Sequence, residues 1–134
     1  MIAYWDASAL VEACLDETSR VALAKEGGVT RAHSFAEVFS TLTGGRLGFR
    51  SRPEDAAVIC RELAKDLDVV ELSLEETLAA LESARHHGVR GGLVHDFLHA
   101  VAAQKANADK IYTLNLDDFR GLRLPIEILV PPSA

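Results

Sequence analysis

Cysteine is scarce in this chain, with two residues in 134, and methionine and tryptophan occur once each. Cys14 and Cys60 each fall in an apolar helical pattern. Two thiols so placed make neither a disulfide framework nor a metal-ligand spacing, and both are expected to be buried and free. Long apolar runs are missing too, so no segment is expected to span a bilayer. The opening "MIAYWDASALVEACLDE" lacks a basic stretch and meets acids early, unlike a secretory signal, and the expected location is the cytoplasm. There is no linker, repeat or low-complexity tract. Positive charge is the last shortage: 14 Lys and Arg stand against 20 Asp and Glu, a formal net charge of −6. That argues against a broad nonspecific nucleic-acid binder, whose affinity rests on many phosphate contacts. It leaves a nuclease open, because a carboxylate metal site is acidic until cations fill it. A basic protein partner is open as well.

What is present is an ordinary globular composition, 49% hydrophobic and 25% charged. It suffices for one domain with one good core over residues 1–134. Apolar stretches predict strands at "MIAYW", "GVTRA", "DVVELS" and "KIYTLN". A last strand is predicted at "LPIEILVP", whose prolines suit a sheet edge. Helices are predicted at "DASALVEACLDE", "SRVALAKE", "HSFAEVFSTLTGG", "RPEDAAVICRELAKDL", "LEETLAALESARHHG" and "VHDFLHAVAAQKANA". Asp6 or Ser8 is placed to cap the first of these, Gly27-Gly28 to stop the second, and Pro53 to open the fourth. Strands alternating with helices indicate an α/β domain with a central, mainly parallel sheet flanked by helices. In such sheets sites form beyond the carboxyl ends of the strands.

Polar oxygens collect at those ends. Asp6 closes the first strand, Asn115, Asp117 and Asp118 follow "KIYTL", Glu37 lies in the helix after the second strand, and Asp96 opens a helix. Each has a plainer reading. Asp6 serves as an N-cap, Glu37 as part of a solvated face, Asp96 as a helix-dipole residue, and one of Asp117 and Asp118 as a turn former. One cause shared by four separate elements is the simpler account. Mg²⁺ or Mn²⁺ prefers hard oxygens and uses a few carboxylates with waters and substrate phosphate. Such ions activate water and stabilise the leaving oxygen in phosphodiester hydrolysis.

These segments together resemble a known family. "DASAL" after a short apolar strand is similar to the opening of PIN domains. "HSFAEVFSTLTG" resembles their helix with the second acid, "GGLVHDFLHAVAA" the segment with the third, and "IYTLNLDDF" the closing motif. Order, spacing and length look most like the VapC-type toxins of bacterial toxin–antitoxin pairs. The resemblance implies a metal-dependent endoribonuclease, with tRNA among the possible substrates. Asp6, Glu37 and Asp96 match the acidic positions and would be catalytic and metal-holding. The closing segment departs from the pattern, with Asn115 where many relatives carry an acid. An Asn oxygen ligates or holds a water but adds no charge, so Asp118 and Asn115 together are taken to complete the site, ahead of Asp117. Ser8 and Thr113 would orient the carboxylates. The resemblance further implies a homodimer and an inhibitory antitoxin, whose basic segment would suit an acidic toxin. The Asn115 departure keeps open a binding module for RNA or protein, and a DNA endonuclease is the other enzymatic reading.

"HDFLH" invites a zinc reading, because His95 and His99 share a helix face. A zinc protease needs Glu between them, and Asp96 is one methylene shorter. No histidine follows His99, and zinc leaves Asp6, Glu37 and "TLNLDDF" unexplained. His99 is therefore expected to pack or hydrogen-bond within the fold, and alanine at both histidines to leave metal-dependent activity largely intact. Two basic patches offer phosphate contacts, Arg85, His86, His87 and Arg90 in one and Arg46, Arg50 and Arg52 in the other. Arg46 and Arg50 are preferred for substrate binding because their loop follows the Glu37 helix.

Overall fold

Short apolar strands separated by amphipathic helices have one economical arrangement, a parallel sheet with helices on both faces. The computed structural model, which describes residues Met1–Ala134, has this arrangement. Strands β1 (Ala3–Trp5), β2 (Val29–Thr30), β3 (Asp68–Val69), β4 (Lys110–Tyr112) and β5 (Glu127–Leu129) form one sheet in the order β3-β2-β1-β4-β5. Every neighbouring pair is parallel, so the sheet is wholly rather than mainly parallel. The last strand occupies an edge, as its prolines require.

Seven helices connect and cover the strands: α1 (Ala7–Leu15), α2 (Glu17–Glu26), α3 (Ala32–Thr43), α4 (Pro53–Ala64), α5 (Leu74–Ser83), α6 (Leu93–Lys105) and α7 (Leu116–Gly121). Their starts follow local chemistry. Asp6 caps α1 by accepting from the Ala9 amide, and Asp16 caps α2 through the Thr18 and Ser19 amides. Pro53 stands at the start of α4, where its missing N–H is harmless. Ser73 and Glu76 form a capping box on α5. Two departures from the predicted elements are local. Residues Ala84–His87 tighten into a 3-10 turn ended by Gly88 at φ 67°, rather than continuing α5. Leu116–Gly121 forms a helix although its acids suggested a turn.

Side-chain alternation along β1 divides the core. Ala3 and Trp5 face α1, α2, α3 and α4, packing with Leu10, Leu23, Val38, Leu42 and Leu63. Tyr4 faces the other layer, with Phe97 and Ala100 of α6, Phe119 of α7 and Ile111 of β4. Trp5 is fully buried with its ring 4.7 Å from that of Tyr112. Truncating it to alanine would cost roughly 3–5 kcal/mol. Gly28, at φ 153°, is required here, because a Cβ would come within 2.8 Å of the Trp5 ring and 2.5 Å of the Ala3 carbonyl oxygen. Both cysteines are free, but they are half-buried rather than buried, because each lines a surface groove beside α4. No helix is long and apolar enough to cross a membrane.

Candidate active site

The chain builds β2 and β3 on one side of β1 and β4 and β5 on the other. The crevice beyond the carboxyl ends of β1 and β4 is therefore the switch point where α/β sheets hold ligands. Asp6 stands there directly after β1, anchored by its amide to the Tyr112 carbonyl at 3.1 Å. Its side chain is 2% exposed. Oδ1 accepts from Ser8 Oγ at 2.7 Å and from the Ala9 amide at 2.9 Å, and Oδ2 accepts from Thr113 Oγ1 at 2.5 Å. The same two hydroxyls accept from the loop after β4. Ser8 takes the Leu114 amide at 2.8 Å and Thr113 takes the Asn115 amide at 3.0 Å. Burial pushes the Asp6 carboxyl above its ordinary range, against the pull of these donors and of His99.

Three more acids approach from three helices. Asp96 lies in the first turn of α6, half-buried. Its carboxyl is pushed up to about 6, first by burial and then by the charge of Asp6, with Asp118 and Glu37 adding to the push and His99 opposing it. Asp118 is exposed on α7 and its charge reaches Asp96, whereas Asp117 is not among the charges that move it. Glu37 projects from the middle of α3. Its Oε1 accepts from His99 Nε2 at 2.8 Å, and no protein group bonds Oε2. Burial pushes Glu37 up, but the His99 hydrogen bond and the nearby His33 and His95 outweigh it and leave the carboxyl below its usual value. Asn115 is the N-cap residue of α7, yet its side chain makes no capping bond.

A cavity of about 520 Å³ opens beside the acids, lined in part by Ser8, Glu37, Thr41, Arg46, Leu47 and Asn115. It shares Glu37, Ser8 and Asn115 with the acidic rim. Arg46 enters it with Nη2 donating to Thr41 Oγ1 at 3.1 Å. Arg50 does not line it; its side chain packs over Gly45, 2.7 Å from where a Cβ would stand. The second basic patch is held elsewhere, with His87 bonded to the Leu122 carbonyl at 3.0 Å and stacked near Phe97.

Tyr4 and Arg31 were not singled out in the sequence. Tyr4, on β1, bonds His99 through its hydroxyl at 2.7 Å. Arg31, the N-cap residue of α3, brings its charge to Tyr4 and buries Nε without a partner. Period two on the strand carries a signal for Tyr4, which lies two residues before Asp6 and so on the same face.

No three His, Cys, Asp or Glu side chains converge into a ready-made metal cage. A Mg²⁺-like ion does not need one, since it keeps several waters and binds through one or two carboxylates plus substrate phosphate. The donors at this rim are the hard oxygens of Asp6, Glu37, Asp96, Asp118 and Asn115. No Lys or Arg forms an ion pair with any of the four acids. The push that Asp6, Asp118 and Glu37 add to burial at Asp96 is what a bound cation would relieve. On donor chemistry and charge, the residues fit a hydrated divalent ion.

A family model described as the PIN domain matches residues 3–123, a span that takes in every acid of the rim. No curated protein matches the chain.

Proposed function

The chain belongs to the PIN domain family, whose members are in general metal-dependent nucleases, and from that premise we propose that it is a Mg²⁺- or Mn²⁺-dependent endoribonuclease, the VapC-type toxin of a toxin–antitoxin pair. The observation that carries the reading is the convergence of four acids from four elements on one rim, close enough for Asp96 to register the other three. Asp6, Glu37, Asp96 and Asp118 would hold the metal, with Asn115 contributing a neutral oxygen. A divalent ion bound there supplies a lowered water pKa and charge neutralisation at the scissile phosphate. Everything else is the work of the chain. Ser8 and Thr113 fix both oxygens of Asp6, so that carboxylate is oriented before any ligand arrives. Glu37 Oε2, free of protein partners, is available to orient a water and take its proton. Arg46 supplies a cation to the cavity wall, suited to a phosphate flanking the cleaved bond. Thr41 and Asn115 add hydrogen-bonding groups for a nucleotide in that cavity.

The partner reading has its own support. A groove between α3 and α4, lined by Phe35, Ala36, Phe39, Ala57, Cys60, Arg61 and Ala64, is almost entirely apolar. Such a surface suits a protein, whether a second copy of the chain or an antitoxin. The net charge of −6 suits a basic inhibitor segment acting in the cytoplasm.

The test is cleavage of a small RNA panel, tRNA included, beside single- and double-stranded DNA. Metal-stripped wild type and Asp6→Asn are compared with and without Mn²⁺. RNA cut by wild type alone, and only with metal, is the expected result. Cutting of DNA in preference to RNA would replace the substrate. Equal cutting by both proteins would remove the acidic rim from the chemistry. Binding of RNA without any cutting would turn the reading to a binding module.

A further inference from the structure

His99 is one of the few fully buried polar side chains, 2% exposed, and both of its ring nitrogens are used. On one side the Tyr4 hydroxyl stands 2.7 Å from Nδ1; on the other Nε2 stands 2.8 Å from Glu37 Oε1. The fold explains the meeting. Crossover helices run antiparallel to the strands they join, so α6 enters at the rim with Asp96 and descends to His99 three residues later. β1 ascends through Tyr4 to Asp6. Asp96 is thus brought to Asp6, and His99 to Tyr4, one step below. From there His99 reaches across to α3, in the opposite helical layer.

The direction of the two hydrogen bonds follows from the donors present. Tyr4 is fully buried, and burial drives its hydroxyl well above the ordinary tyrosine value, so it keeps its hydrogen. Nδ1 stands 2.7 Å from it, and the Ser34 and Thr30 hydroxyls are its other polar neighbours. With Nδ1 accepting, the ring proton resides on Nε2 and is donated to Glu37. We infer that His99 is a positioning residue for the nuclease site: Tyr4 fixes its tautomer, and its Nε2–H clamps Glu37 by Oε1 so that Oε2 faces the rim. This rests on the nuclease reading for its consequence, but the clamp itself is a property of the protein alone. It replaces the expectation that alanine at both histidines is harmless; His95 is exposed on the next turn of α6 and does not share the role. The geometry parallels metal sites in which an outer hydrogen-bond partner orients the ligand, where loss of the partner costs about 10–100-fold in affinity or activity.

Two substitutions at one position separate clamping from packing. The amide nitrogen of Gln occupies the place of Nε2, so His99→Gln keeps a donor toward Glu37 and loses the acceptor for Tyr4. Asn is shorter, so His99→Asn keeps an acceptor for Tyr4 and loses the donor toward Glu37. Mn²⁺ is titrated into metal-free wild type and both variants by calorimetry, and the tautomer of His99 is read from the ¹⁵N shifts of labelled wild type. The expected results are a proton on Nε2, Mn²⁺ affinity for His99→Gln within about threefold of wild type, and a loss of about tenfold or more for His99→Asn. A proton on Nδ1 overturns the inference, and so does an Asn variant that binds Mn²⁺ as well as the Gln variant. If neither variant folds, the wild-type tautomer decides. If wild type binds no Mn²⁺ yet carries its proton on Nε2, the nuclease reading fails while the clamp stands.

Discussion

The two ends of the sheet treat charge in opposite ways. At the amino end the acids Glu26, Asp66 and Asp109 each have a partner, while Asp68 and Glu127, at the starts of β3 and β5, lie in solvent. Glu26 meets Lys110 Nζ at 3.1 Å and the Tyr112 hydroxyl at 3.1 Å, Asp66 meets Arg20 at 2.8 Å, and Asp109 takes the Ile2 amide at 2.6 Å. At the carboxyl end, Asp6, Asp96 and Asp118 have no Lys or Arg beside them, and two of the three are forced above their ordinary titration range. The same strands join both ends, so the difference is local. The amino end is arranged for stability. The carboxyl end holds repulsion that a folded protein without a ligand would gain by removing, the usual mark of a site shaped for something it binds.

The contrast can be broken first at its strongest point. On the proposed function, Asp96→Asn is expected to abolish metal-dependent RNA cleavage, by roughly a hundredfold or more, since it withdraws charge from the proposed metal site. In the same variant the melting temperature of the metal-free protein is expected to rise. A fall in both quantities would mean that Asp96 is structural. Next comes pH. Because the folded Asp96 carboxyl titrates near 6 rather than 3.8, the unfolded chain gives up its proton first. The contribution is therefore most favourable below pH 3.8 and is lost as pH rises to about 6. Melting of the metal-free wild type across that window should show a decline that is shallower in Asp96→Asn, where Asp6 is still raised, and a wild-type profile parallel to the variant's would remove the repulsion. Added Mn²⁺ should raise the melting point more at pH 7 than at pH 5, where protons compete for the site.

Smaller effects sharpen the picture. Arg46→Ala is expected to raise the KM for RNA severalfold and to lower the salt slope of binding by about one, as for a single phosphate contact. Arg50→Ala should do less, because Arg50 lies over Gly45 outside the cavity. An equal effect from both would show that the substrate follows the loop rather than the cavity. Smallest of all is Lys110→Met at the amino end. Denaturant melts should place it within about 1 kcal/mol of wild type, as for other ion pairs near the surface. It should also leave Mn²⁺ binding unchanged.

The sequence carried the architecture because its signals were local. Strand-ending Asp6, the Gly27-Gly28 stop and Pro53 each do what their chemistry dictates at their own position. β2 and β3 were legible only as apolar stretches, because just two residues of each pair. The helix at Leu116–Gly121 was hidden by Asp117 and Asp118, which suit a turn as well as a helix N-terminus. The acids of the rim were legible as candidates because strand ends mark the site in this class of sheet. Their mutual influence was not, since it depends on how α6 and α7 approach β1. The Tyr4–His99–Glu37 chain was least legible. Its members lie 33, 62 and 95 residues apart, and only the packed fold makes them neighbours.

On the proposed function, the carboxyl end of the sheet is built around a divalent cation and the amino end is not. Calorimetric titration of Mn²⁺ into metal-free wild type, Asp6→Asn and Glu26→Gln tests it most directly. The account predicts binding by wild type and Glu26→Gln alike, and binding lost or severely weakened in Asp6→Asn. Equal binding by all three proteins, or a loss confined to Glu26→Gln, would contradict it.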